Sequence, residues 1–456
     1  MAERDLTTGS VPGLMIRLAL PVLGGFILQS AYALVDLYWV GRLGSASVAG
    51  VGIVLNTFFI VLALGMIVGV GALALLSRAY GAGNREGIPA LFQQVFWLSW
   101  GIGAAACLGA LATAATFMEI FTNDPLVYSE GLAYFRIYAF SFLLQPVLMS
   151  LGFCWRAIGD FFTPPLLMGI SVATNMALDP LLIFGWGPFP ELGIRGASLA
   201  TVISQIIPLA VYLWLVLGRV RNTLLVLNRP LKLDFGIIRR ILRIGLPSGL
   251  QFVVVSLSLM LMFRGVKSFG GEAAAAMGIG FRLRQAGILP VVAIGAAVSS
   301  MMGQNLGAGF APRMRATVLW GMLYALLITG LGYGLLLAFP WYWMGLFTDS
   351  DGVLAYGVTY LTIFGLSLPL HGLGYVVTST AQGLGRTMYP LLGQLVSLGV
   401  FALGLLLLGL LDWRSVQGVV WAMLSGSAAE FIMLAAVLAM FWRTALKTAP
   451  AGSAGR

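Results

Sequence analysis

The chain has 456 residues, 59% of them hydrophobic and only 9% charged, with a mean hydropathy of +0.96. A soluble core needs far less apolar surface, so the composition excludes an ordinary globular domain and points to an all-α protein that crosses a membrane repeatedly. The net charge of +10 does not mark a nucleic-acid binder, because Lys and Arg fall in short connections between apolar runs and form no single basic patch.

The first strongly apolar stretch, Leu18 to Val40, reads LALPVLGGFILQSAYALVDLYWV and is long enough to span a bilayer. Arg4 precedes a run too long for a signal-peptide core, with no small-residue cleavage site after it, so the stretch is expected to be a retained span. It carries one carboxylate, Asp36, and an acid inside a membrane is costly unless solvated, paired or protonated. Gln29, Tyr32 and Asp36 are spaced i, i+3, i+7, which places them on one helix face as a cavity-lining stripe. Pro21, a few residues into the same stretch, removes a backbone hydrogen bond and permits a bend, so it is the candidate hinge.

Further apolar runs follow, giving twelve expected spans at 15–40, 48–77, 90–116, 131–156, 164–186, 196–218, 243–266, 273–302, 315–340, 354–382, 388–411 and 416–441. The longest connection holds Arg219, Arg221, Arg229, Lys232, Arg239, Arg240 and Arg243. Arg78 and Arg85, Arg156, Arg313 and Arg315, Arg386, Arg443 and Lys447 lie on the same side, whereas 117–130 and 341–353 carry acids and no base. The positive-inside rule then puts both termini in the cytoplasm.

An internal repeat organises these spans. Leu18–Pro21 (LALP) recurs as Ile244–Pro247 (IGLP), 226 residues on (247 against 21). The same offset joins Gly81-Ala82-Gly83 to Gly307-Ala308-Gly309, Phe121-Thr122 to Phe347-Thr348, Tyr134 to Tyr360, Gly159 to Gly385 and Pro164 to Pro390. The fold expected is therefore twelve transmembrane helices in two pseudo-symmetric six-helix bundles, 1–218 and 243–456, joined by a basic cytoplasmic linker at 219–242.

Departures from the repeat locate the chemistry. Asp36 answers to Met262, Asn175 to Phe401 and Asp179 to Leu405, so the buried polar groups belong to the first half. A helical rise of about 1.5 Å per residue puts Asp36 roughly 6 Å, Thr201 roughly 8 Å and Asp179 roughly 10 Å below the outer end of its span. Asn175 lies one turn below Asp179 on the same face. Two carboxylates, an amide and a hydroxyl at one level can hold protons or take a hard cation through oxygen. A solitary acid near a membrane boundary can instead face headgroups, and Pro180 after Asp179 can mark a locally opened helix.

Other intramembrane polar groups are weaker candidates. Glu430 sits deeper and either lines the cavity or, the favoured reading, hydrogen-bonds structurally between helices, and His371 is read as a packing histidine, although imidazole can titrate near neutrality. Arg282 and Arg284 either meet an anionic substrate group or snorkel outward, and Arg136 reads the same way. The Gly-rich turns at 77–86 and 303–313 lack the G-x-x-x-x-G-K-[ST] pattern of a phosphate loop and are read as helix stops. Cys107 and Cys154, both in apolar runs, imply neither a disulfide framework nor a metal site.

The run LALPVLGGFILQSAYALVDLYWVGRLG, the paired GAG turns, GIRGASLATVISQ at 193–205 and GLGRTMYPLL at 383–392 together resemble the multidrug and toxic compound extrusion (MATE) family. The resemblance runs from Leu6-Thr7-Thr8-Gly9 through the twelfth span. It implies two six-helix lobes in a V around a cavity, and export of amphipathic, often cationic compounds against H⁺ or Na⁺. In the branch similar to DNA-damage-inducible transporters, the first lobe holds the coupling ion on aspartates of helices 1 and 5. The matching positions are Asp36 and Asp179, with Asn175 and Thr201 as amide and hydroxyl partners and Gln29 and Tyr32 on the polar face of helix 1. The other branch carries an acid on helix 7, and 250–266 has none.

The function expected is thus a secondary multidrug antiporter of the cell inner membrane, monomeric in the lipid bilayer, taking small-molecule drugs or toxins. It would need no cofactor beyond the coupling H⁺ or Na⁺ and would bind no nucleic acid. The alternatives are a flippase for a lipid-linked precursor and a membrane-embedded enzyme. Scarce intramembrane arginine argues against the first, and the absence of a nucleophile–base pair, HExxH or Cys/His set against the second.

Overall fold

A computed structural model of the chain describes residues 4–217, 224–227 and 233–448. Arg219, Arg221, Arg229 and Lys232 of the basic linker lie outside the described residues. Among the described residues the fold is all-helical, and twelve segments are long and apolar enough to cross a membrane. The first six are built from α1 (Val11–Gly41), α2 and α3 (Ser45–Leu55, Phe58–Gly81), α4 (Gly87–Phe121), α5 (Pro125–Ala157), α6 (Thr163–Phe184) and α7 (Ile194–Leu217). The second six are built from α8 (Phe235–Val266), α9 (Gly271–Gly307), α10 (Ala311–Ala338), α12 and α13 (Asp351–Ile363, Ser367–Gly383), α14 (Met388–Leu410) and α15 (Val416–Thr448). A short α11 (Pro340–Gly345) follows α10.

The repeat is visible in where helices start and stop. Ser45 and Gly81 bound the second span and Gly271 and Gly307 the eighth; Pro125 and Ala157 bound the fourth and Asp351 and Gly383 the tenth, each 226 residues apart (271 against 45). Local chemistry sets these ends. Asp124 accepts from the amides of Leu126 at 2.8 Å and Val127 at 3.2 Å, while Pro125, needing no amide partner, opens the helix. At the other end Gly83 and Gly309 take φ of 72° and 73°, the left-handed turn that favours glycine. The following amides of Asn84 and Phe310 then donate back to Ala79 and Asn305, which closes the helix at each GAG turn.

Three features depart from the expected spans. The second is interrupted between α2 and α3, where the Asn56 side chain donates to the carbonyls of Gly52 and Ile53 and the Thr57 hydroxyl to that of Val54. The tenth is interrupted by a tight turn at Phe364–Leu366, with the Thr362 carbonyl accepting from Tyr333 Oη at 3.0 Å. The seventh begins early: α8 starts at Phe235 because Asp234 Oδ1 accepts from the amides of Gly236 and Ile237. Residues 235–242, assigned to the linker from sequence, are therefore helical.

The chain forms two compact units, one of Met1–Asp5 with Leu20–Gly249, the other of Leu6–Ala19 with Leu250–Arg456. In the first, α5 packs on α2, α3, α4 and α7, and Trp155 near its C-terminal end stacks edge-on against Phe92 and Tyr212. Cys107 and Cys154 are buried free thiols in the first unit, packed as small apolar groups. In the second, α9 packs on α10, α12 and α13, around a core that includes Met277, Tyr360 and Leu368.

Candidate ion-coupling site

The polar groups of the first unit are brought together by close helix contacts. As first and fifth spans, α1 and α6 run in the same direction. A Cβ on Gly25 would stand 3.3 Å from Pro165, and one on Gly169 would stand 3.2 Å from Leu28, so the two helices touch in register. Leu28 is level with Gly169; eight residues further, Asp36 comes level with position 177, between Asn175 and Asp179. From the opposite direction α7 presses Gly196 against the Leu182 carbonyl. Five residues on, Thr201 also comes level with position 177.

Burial there is nearly complete: Asn175 and Asp179 are 0% exposed, Thr201 5% and Asp36 9%. In the amide orientation that satisfies both ends, Asn175 donates to Asp179 Oδ2 at 3.0 Å and accepts from the Thr201 amide at 3.3 Å. The Thr201 hydroxyl donates to the Ala197 carbonyl at 3.1 Å, so at 3.4 Å the Tyr32 hydroxyl donates to Thr201 Oγ1. Asp36 Oδ1 is buried without a hydrogen-bond partner. Its carboxylate is within electrostatic reach of Asp179, Tyr32, Tyr134 and Tyr138. Among the described residues no Lys, Arg or His acts on either acid. Two carboxylates buried without a basic counter-charge are costly to keep charged, so such a pair is chemically suited to taking up a proton or a cation.

Tyr134 and Tyr138 are the residues that sequence reasoning missed at this site. Their rings stack at 5.4 Å on α5, on the face turned to the acids. Their i, i+4 spacing was the available signal, and Tyr134 counted only as a repeat match. Gln29 and Tyr32 are half-buried on α1. Pro21 lies inside α1, beside the point between Ala19 and Leu20 where that helix passes from one compact unit to the other. Among the described residues no three His, Cys, Asp or Glu side chains gather as a metal site. Arg136 and Arg282 are exposed, as snorkelling residues are. Arg284, His371 and Glu430 fall in the second unit.

Comparison with known proteins decides the family. The MatE family model matches residues 21–181 and again 247–407, with starts 226 residues apart (247 against 21). A probable multidrug resistance protein of Bacillus subtilis, YoeA, is 30% identical over 380 residues, covering 81% of each chain.

The chain belongs to the MATE family.

The multidrug export protein MepA of Staphylococcus aureus is 26% identical over 443 residues, 94% of this chain and 93% of its own. A solved MOP-superfamily transporter from Pyrococcus furiosus shares the fold at 22% identity, with a TM-score of 0.89 over 98% of this chain and 99% of that one. As a MATE protein the chain is a multi-pass membrane transporter rather than an enzyme, and the family model matches its 226-residue repeat twice, over the first five spans of each half.

Proposed function

We propose that this MATE protein is a multidrug efflux antiporter, exporting amphipathic or cationic organic compounds in exchange for an inward coupling ion held at Asp36 and Asp179. The observation that carries the reading is the pair of buried carboxylates with no basic partner among the described residues. The names of the relatives support multidrug export. A proton is the favoured ion. Protonation removes the charge of a buried carboxylate with no further ligand, whereas Na⁺ would also draw on the oxygens of Asn175 and Thr201.

In the cycle proposed, ions reach Asp36 and Asp179 from the outer side and remove the buried charge. Neutral acids tolerate closer packing, so α1 bends at Pro21, the first lobe tightens and substrate is expelled. By linkage, a substrate that favours the ion-free form loses affinity as the acids load. The lobes are taken as 1–218 and 243–456, the termini as cytoplasmic, and the protein as a monomer in the inner membrane of the cell. Efflux of a cationic dye from proteoliposomes under an imposed pH gradient, then under a sodium gradient, tests the reading. Dye movement driven by the pH gradient and absent in Asp179→Asn is the expected result. Equal efflux by that variant would refute the ion site, and lipid translocation in place of dye efflux would transfer the protein to the flippases.

A further inference from the structure

The second bundle contains a polar centre of opposite sign, which the cycle above does not use. Arg284 lies on α9 thirteen residues past Gly271, about 20 Å along the helix and so near mid-depth. Its guanidinium carbon stands 5.3 Å from the ring centre of Phe364 and 5.5 Å from that of Phe281. Its Nε is buried without a hydrogen-bond partner, while the residue as a whole keeps part of its surface open. Glu430, His371 and Tyr360 are all within its electrostatic reach. His371 spends Nδ1 on the Ser367 carbonyl at 2.9 Å, and Glu430 is hydrogen-bonded by Ser397.

This centre stands where the tenth span breaks, since Phe364 opens the tight turn between α12 and α13. Mid-membrane breaks expose backbone groups and recur where transporters hold charged ligands. The repeat sharpens the contrast. Tyr360 and Phe364 answer to Tyr134 and Tyr138, which line the acids of the first bundle on an unbroken α5. One helix face thus serves an acidic centre in one copy and an arginine centre in the other.

We infer that Arg284, framed by Phe281 and Phe364 at the break in the tenth span, binds an anionic group, a carboxylate or phosphate, on an amphipathic substrate. Glu430 serves as the counter-ion of Arg284 when no such ligand is bound and competes with it. The inference deepens the export reading by adding an anionic or zwitterionic substrate class, and it rests on that reading only for the direction of transport.

The test is equilibrium binding to the purified full-length protein in nanodiscs, followed by fluorescence polarisation, which needs no ion gradient. The probes are a rhodamine with a free carboxylate and its methyl ester, alike except for the anionic group. The intact protein is expected to prefer the free acid. Arg284→Gln should weaken binding of the acid by about tenfold or more, the loss of one charge-assisted hydrogen bond, and leave the ester unchanged. Arg284→Lys should retain part of the preference, and Glu430→Gln should tighten binding of the acid, an opposite sign that a purely structural pair would not produce. Absence of any preference in the intact protein, or a preference that survives Arg284→Gln, overturns the inference. Gradient-driven efflux of the ester tests the antiport reading separately, so either claim can fail alone.

Discussion

Replacing Gly196 by alanine tests whether helix packing holds the ion site together. The new Cβ would stand 2.8 Å from the Ile183 amide nitrogen and closer still to the Leu182 carbonyl, whereas ordinary contact begins near 3.4 Å. Backbone cannot turn aside as a side chain can, so α7 must retreat from α6 by at least about 0.6 Å at this level. Overpacking of this kind costs about 1–3 kcal/mol. It also acts on the site, because the Asn175–Thr201 bond, already 3.3 Å, lies one and a half turns away on the same pair of helices. A retreat carried that far would take it past hydrogen-bond range. Unfolding of purified protein in nanodiscs should show the stability loss, and pH-driven dye efflux should fall in parallel. A Gly196→Ala protein as stable and as active as the parent would refute the packing argument.

Other substitutions separate the roles of single residues. Asn175→Leu removes the donor to Asp179 and should abolish ion-driven efflux, with a stability loss of about 1–3 kcal/mol from the unpaired buried group; retained efflux in liposomes would show that the amide is dispensable. Asp124→Ala deletes the α5 cap far from the acids, and thermal unfolding should register about 1 kcal/mol while transport per folded molecule stays level. Pro21→Ala restores a backbone hydrogen bond in α1, so the protein should be at least as stable while efflux slows. Unchanged turnover in single-cell dye efflux would remove the hinge from the cycle.

Hydropathy and the 226-residue offset make the helical class, the twelve spans and the repeat legible in the chain, because a bilayer demands long apolar helices and a duplication preserves their ends. The interruptions were not legible. Asn56 and Thr57 sit in an apolar run whose side chains take backbone carbonyls for themselves, and Phe364–Leu366 carries no proline or polar residue to announce its turn. Polarity marked Asp36, Asn175, Asp179 and Thr201 because each stands out against an apolar background. The Tyr134–Tyr138 pair was hidden for the opposite reason, since tyrosine is common both in membrane helices and at their interfaces. Arg284 was visible as a charge, but half of its aromatic framing comes from Phe364, eighty positions away in the chain.

The most direct test of the account is ion-coupled efflux by Asp36→Asn in proteoliposomes, read beside binding of the same cationic dye to the same preparation. Asparagine keeps the size of the side chain and removes the charge. The account predicts a folded variant that still binds dye yet shows no efflux above leak under either an inward pH or an inward sodium gradient. Efflux at the parent's rate under either gradient would contradict it.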